Sequence, residues 1–127
     1  MNFIKMNQTN GYIYVRNHSS WGDARKMGKA NNIPERDTQY ATGEIKRGSF
    51  DAVFEVPSVN KVERLLQSEF RGLNIKYDAG TEFYDKKIIT LIEPYLITVG
   101  IKYKKLSKQD ISNLVRFNRV RESFNKI

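Results

Sequence analysis

From Gly11 to Arg16 the chain alternates Tyr12 and Tyr14 with Ile13 and Val15. This period of two sends both phenols to one face of a strand and both aliphatic side chains to the other. Further strands are expected over 24–29 and 51–56, the last bounded by Gly48-Ser49 before it and Pro57 after it. Elsewhere the apolar spacing changes to three and four. A helix is expected from near Pro34, with proline in its first turn, to Gly43 at its end. A second should follow Ser58 as N-cap and run to about Arg71 on the stripe Val59, Val62, Leu66 and Phe70. Asn74 to Asp78 reads as loop or short strand and Gly80 as a turn. Phe83 to Leu96 then reads as a helix built on Phe83, Ile88, Leu91, Ile92 and Tyr95, kinked at Pro94. Ser107 should cap a last helix with Asp110 in its first turn. The core order β-β-α-β-α predicts an α+β domain: a small three-stranded antiparallel sheet flanked by helices, with a basic C-terminal helix.

Composition narrows the class of protein. A chain of 127 residues supports one hydrophobic core. It has no cysteine, which excludes a disulfide framework, a thiolate zinc site and a cysteine nucleophile. The lone histidine, His18, excludes a multi-histidine metal site. The longest apolar stretch, from Ile88 to Ile101, is interrupted by Thr90, Glu93, Pro94 and Thr98, and the N-terminus lacks the apolar region of a secretory signal. The expectation is an intracellular, cytoplasmic domain with no membrane partner. Gly28-Lys29 lacks the upstream glycine and following hydroxyl of a phosphate-binding loop of Walker type.

The net charge is +8, and most of the excess lies late in the chain. Residues 98–127 hold eight Lys or Arg against two acids, whereas residues 1–97 hold fourteen against twelve. Such a surface attracts phosphate backbones through counterion release, so DNA or RNA is the partner it most simply implies. A solvated basic face explains Lys104, Lys105, Arg116 and Arg119 equally well. The division gives two parts, a domain over 1–97 and a basic helical extension over 98–127. The abrupt end at Lys126-Ile127 gives the further expectation that the chain is a piece of a longer protein.

Tyr12-Ile13-Tyr14, Lys26-Met27-Gly28, Arg36 on the next helix and Glu63 on a later one form an ordered set. In that order they resemble the GIY-YIG nuclease superfamily, best its phage and large-DNA-virus branch, which also carries a segment like Thr81-Glu82-Phe83-Tyr84. The resemblance covers about 11–97. It implies a nuclease that hydrolyses DNA phosphodiester bonds with Mg2+ or Mn2+, in the host cell cytoplasm if the chain is viral, and a fused helicase-like region beyond it. The resemblance implies Tyr14 as general base or water-positioning group and Glu63 as metal ligand. Lys26 stands where the second tripeptide usually has tyrosine, and it would bind phosphate or protonate the leaving oxygen. Arg36 would clamp the scissile phosphate through its forked, permanent charge. Tyr40, one helical turn beyond Arg36, points the same way and is an alternative proton acceptor. Tyr12, Arg25 and Lys29, with the basic tail, are the expected DNA contacts.

Each residue also has a plainer reading. Glu63 could be a solvated helix glutamate paired with Arg64 or Gln67, and Arg36 could pair with Glu35, Asp37 or Glu44. Trp21 either stacks on a base or anchors its loop, His18 is expected to be solvated, and Glu82 either adds a second acid or ties its loop to the following helix. The alternative function is a binding module that keeps the fold after losing cleavage. A third class is an interaction domain whose tail helix packs on a partner.

Overall fold

The computed structural model describes residues 10–76 and 82–125, with side chains described as far as Asn118. Strands β1 (Gly11–Asn17) and β2 (Ala24–Ala30) form a hairpin over a 3-10 turn, Ser19–Trp21. Helix α1 (Ile33–Gly43) leads to β3 (Ser49–Val56), and α2 (Val59–Glu69) follows. Then come β4 (Phe83–Asp85), α3 (Ile88–Thr98), β5 (Lys104–Lys105) and α4 (Lys108–Asn125).

The sheet has five antiparallel strands in the order β4-β2-β1-β3-β5, which corrects the expected three. Both additions are short edge strands. Phe83–Asp85 was expected as the start of a helix, but it pairs with β2 through Lys26, Arg25 and Ala24. The apolar stripe of the helix is instead Ile88, Ile92 and Leu96, which recurs every fourth residue and excludes Phe83, five positions before Ile88. Pro94 lies inside α3 without ending it. The expected turn at Gly80 lies outside the described residues.

The alternation in β1 divides the core in two. Ile13 and Val15 face α2 and α3, packing with Met27, Phe54, Val62, Leu66, Ile88 and Ile92. Tyr14 faces α1 and α4 with Ala30, Ile33, Phe50, Val53, Ile111 and Val115. The sheet is therefore the middle layer between two helical layers. Residues 98–127, expected as a basic extension, supply the β5 edge and the α4 cover. Ser107 and Asp110 start α4 reciprocally: Ser107 Oγ accepts from Asp110 N at 3.0 Å and Asp110 Oδ2 accepts from Ser107 N at 3.1 Å. Donation from Ser107 N, helped by the Ser107 hydroxyl, holds the Asp110 carboxyl below its usual range.

Candidate functional site

Tyr14 stands opposite Gly28, and Lys26 stands opposite Arg16. Lys26 is thus one same-face step along β2 from the residue that pairs with Tyr14. A Cβ at position 28 would lie 2.6 Å from Tyr14 Oη, so glycine there lets the Tyr14 ring cross β2 at contact distance. Once across, the phenol meets α1. Its hydroxyl lies 2.8 Å from Tyr40 Oη and accepts from Arg36 Nη1 at 3.4 Å. The four-residue spacing brings Arg36 and Tyr40 onto one side of α1, as the sequence implied. Asn32 starts the helix by accepting from Glu35 N at 2.9 Å.

Lys26 reaches the same cluster from β2. Its Nζ lies 5.3 Å from the Tyr40 ring centroid and 3.3 Å from Glu82 Oε2. Glu82 thus brings an acid beside Lys26, and its carbonyl, which accepts from Met27 N at 3.0 Å, ties its segment to β2 rather than to the following helix. Tyr14 is 1 % exposed, which sets it behind the surface rather than on it. Tyr40 is half-buried. Burial pushes its hydroxyl above the ordinary tyrosine value of 10.0, reinforced by the charge and hydrogen bond of Tyr14 and opposed by Arg16 and Arg36. It is a neutral phenol at physiological pH, with a proton available to donate.

Below this cluster lies an arginine that the sequence pattern did not single out. Arg16 is fully buried, its guanidinium stacked 4.4 Å from the Tyr40 centroid and 4.7 Å from that of Phe50. It donates to Asp37 Oδ1 at 3.3 Å and Glu44 Oε1 at 2.8 Å. Arg47 pairs with the second Asp37 oxygen, and Asn118 from α4 donates to it at 3.3 Å and to Pro34 O at 2.9 Å. Asp37 and Glu44, the expected partners for Arg36, are thus bound to Arg16 and Arg47. The signal was available in the strand period, because Arg16 continues the face of Tyr12 and Tyr14.

Glu63 comes to the region from the other side of the sheet. It projects from α2 toward Lys29, whose partner in β1 is Ile13, with Lys29 Nζ 3.5 Å from Glu63 Oε1 and 2.7 Å from Asn60 Oδ1. Its ion pair is therefore with Lys29 rather than Arg64. The two faces meet where β2 ends: a hollow of about 320 Å3 is lined by Lys29, Ala30, Asn31, Arg36, Val59 and Asn60. Among the described residues no group of three or more acidic, histidine or cysteine side chains surrounds a cation site. The donors present, the Glu63 carboxylate and the Asn60 carbonyl, are hard oxygens of the kind that suit a water-rich Mg2+. The Lys29 pair is partly exposed and weak, worth about 0–1 kcal/mol, so a divalent cation can displace the ammonium.

The remaining expected contacts do not gather here. Tyr12 packs half-buried against the second core cluster. Arg25 is held by Asp51 at 2.8 Å and by the carbonyls of Gly22 and Ala24. Lys104 and Lys105 lie on the β5 edge, across the sheet from β2, and Arg116 borders a hollow beside Phe50 and Val115. The Arg119 side chain lies outside the described residues. His18, expected to be solvated, ties two loops: Nδ1 accepts from Ser20 N at 3.1 Å and Nε2 donates to Lys46 O at 2.5 Å. Trp21 meets Phe83 edge-on at 5.1 Å.

No curated protein and no solved structure matches the chain. The profile of one family, the T5orf172 domain, matches residues 11–96, which span β1 to α3 and so contain the Tyr14, Arg36 and Glu63 positions. With most of its length under that profile, this chain belongs to the T5orf172 domain family, phage-associated domains of GIY-YIG type.

Proposed function

We propose that this domain is a metal-dependent endonuclease that hydrolyses DNA phosphodiester bonds beside the end of β2. The convergence of Arg36 and Tyr40 on the Tyr14 hydroxyl, at 3.4 and 2.8 Å, carries the reading. Arg36 has donors beyond the one directed at Tyr14, and its fork suits two oxygens of one phosphate. Arg36 donates into Tyr14 Oη, which favours Tyr14 as the donor in its hydrogen bond with Tyr40. The Tyr40 O–H is then left to donate outward to the leaving oxygen. Lys26 adds positive charge over the Tyr40 ring. Glu63, with Asn60 beside it, would hold the divalent ion once Lys29 withdraws. Such an ion supplies Lewis-acid charge to the phosphate and activates water.

A binding module without cleavage is the second reading, favoured by the burial of Tyr14 and by Lys29 occupying Glu63. Supercoiled plasmid incubated with Mg2+ and either the wild type or Glu63→Gln separates the two. Nicking by the wild type that disappears in the variant and in a chelator is the expected result. Closed plasmid in every lane, retarded on a gel in a salt-sensitive way, would overturn cleavage and leave the module that binds.

A further inference from the structure

One flank of α2 is a line of hydrogen-bond donors. Val59, Val62, Leu66 and Phe70 turn inward to the core. Beside that face Asn60, Arg64, Gln67 and Arg71 recur at intervals of four, three and four, the spacing that keeps side chains on one straight line along a helix. All four residues are exposed, the last in the 3-10 turn that follows α2. The line starts at the proposed site. Asn60 borders the hollow at the end of β2 together with Lys29 and Arg36, and its Oδ1 accepts from Lys29 Nζ at 2.7 Å, which leaves the Asn60 NH2 group to donate. Glu63, on the inner side of the line, is paired with Lys29, and among the described residues neither Arg64 nor Arg71 has a carboxylate within ion-pair distance. The helix period turns Glu69, the second acid of α2, to the opposite side.

We propose that this line is the docking surface for the backbone of one strand of duplex DNA leading away from the cut. The inference rests on the nuclease reading and deepens it, because Asn60 belongs both to the hollow and to the line. Guanidinium forks and side-chain amides suit phosphate oxygens, and the line carries no aromatic side chain on which a base would stack. The dimensions agree. Arg64 and Arg71 are seven residues apart, a helical rise of about 10 Å, and three phosphate steps of one strand cover about the same length of duplex axis. Such contacts position the duplex without reading its sequence, so they would hold a phosphate beside Glu63 whatever the bases.

Affinity of the full chain for a short fluorescent duplex is measured by anisotropy over a range of salt concentrations, in a chelator to prevent cutting. Each lost phosphate contact lowers the slope of log affinity against log salt by about 0.9. Arg64→Ala combined with Arg71→Ala, both at exposed positions, should therefore flatten the wild-type slope by about two and weaken binding to duplexes of different sequence alike. Lys104→Ala combined with Arg116→Ala removes the same charge from the far edge of the sheet and from the other helical layer, and it should flatten the slope by less than half as much. An unchanged slope for the Arg64 and Arg71 variant, or an equal change for the two double variants, would overturn the inference while leaving DNA binding and the nuclease reading intact. Failure of the wild type to bind any duplex would instead defeat the nuclease reading and this inference with it.

Discussion

Arg16 has the environment of an ion inside a protein, with two acids paired to its guanidinium, the rings of Tyr40 and Phe50 packed against it, and no exposure. Removing it would leave Asp37 and Glu44 short of their counter-charge. Arg16→Met should therefore lower unfolding free energy by about 3–5 kcal/mol, read from denaturant midpoints. Loss of less than a tenth of that would show the network to be dispensable. Tyr40, stacked on Arg16, gives a pH dependence. Its hydroxyl keeps a proton in the folded chain above pH 10.0, where an unfolded tyrosine releases it, so the folded state then binds more protons. Stability should fall as pH rises beyond about 10, and Tyr40→Phe should make that decline shallower in thermal melts. An unchanged slope would count against a protonated Tyr40. At this scale the sequence was informative about Tyr14, Arg36 and Tyr40, because strand and helix periods fix which residues share a face. It was silent on burial, so Arg16 was not singled out and Tyr14 was expected as a base or water-positioning group rather than a buried phenol.

Elements of ordinary length were legible and the shortest were not. β1, β2, β3, α1 and α2 lie within about two residues of their expected bounds, since each spans enough residues for a period to be counted. β4 and β5 have three and two residues, too few for alternation, and they exist because the outer edges of β2 and β3 supply hydrogen-bonding partners. Neither could the sequence say on which side of the sheet each helix lands. That choice set Glu63 on the Ile13 face, away from Tyr14, and left the end of β2 as the meeting point. The start of α4 was read correctly from Ser107 and Asp110. Ser107→Ala should cost about 1 kcal/mol of stability by removing the side-chain acceptor for Asp110 N. A thermal melt identical to the wild type would show that α4 does not depend on this cap.

For the molecule as a whole, the net charge is +8, and the basic side chains expected to meet DNA stand in separate places. Lys26 and Arg36 stand near the Tyr14–Tyr40 pair, whereas Lys104 and Lys105 stand on the far strand. In the proposed function the tail charges would strengthen attraction to DNA, and cleavage would take place at the β2 end, where groups from both helical layers approach one hollow. The most direct test of that placement is the nicking rate of supercoiled plasmid in Mg2+ for the wild type and Arg36→Ala, at concentrations that retard the plasmid equally. Arg36→Ala should be slower by about 10²–10³-fold, the usual effect of losing a positioned charge-stabilising donor. Equal rates for the two proteins would contradict the account.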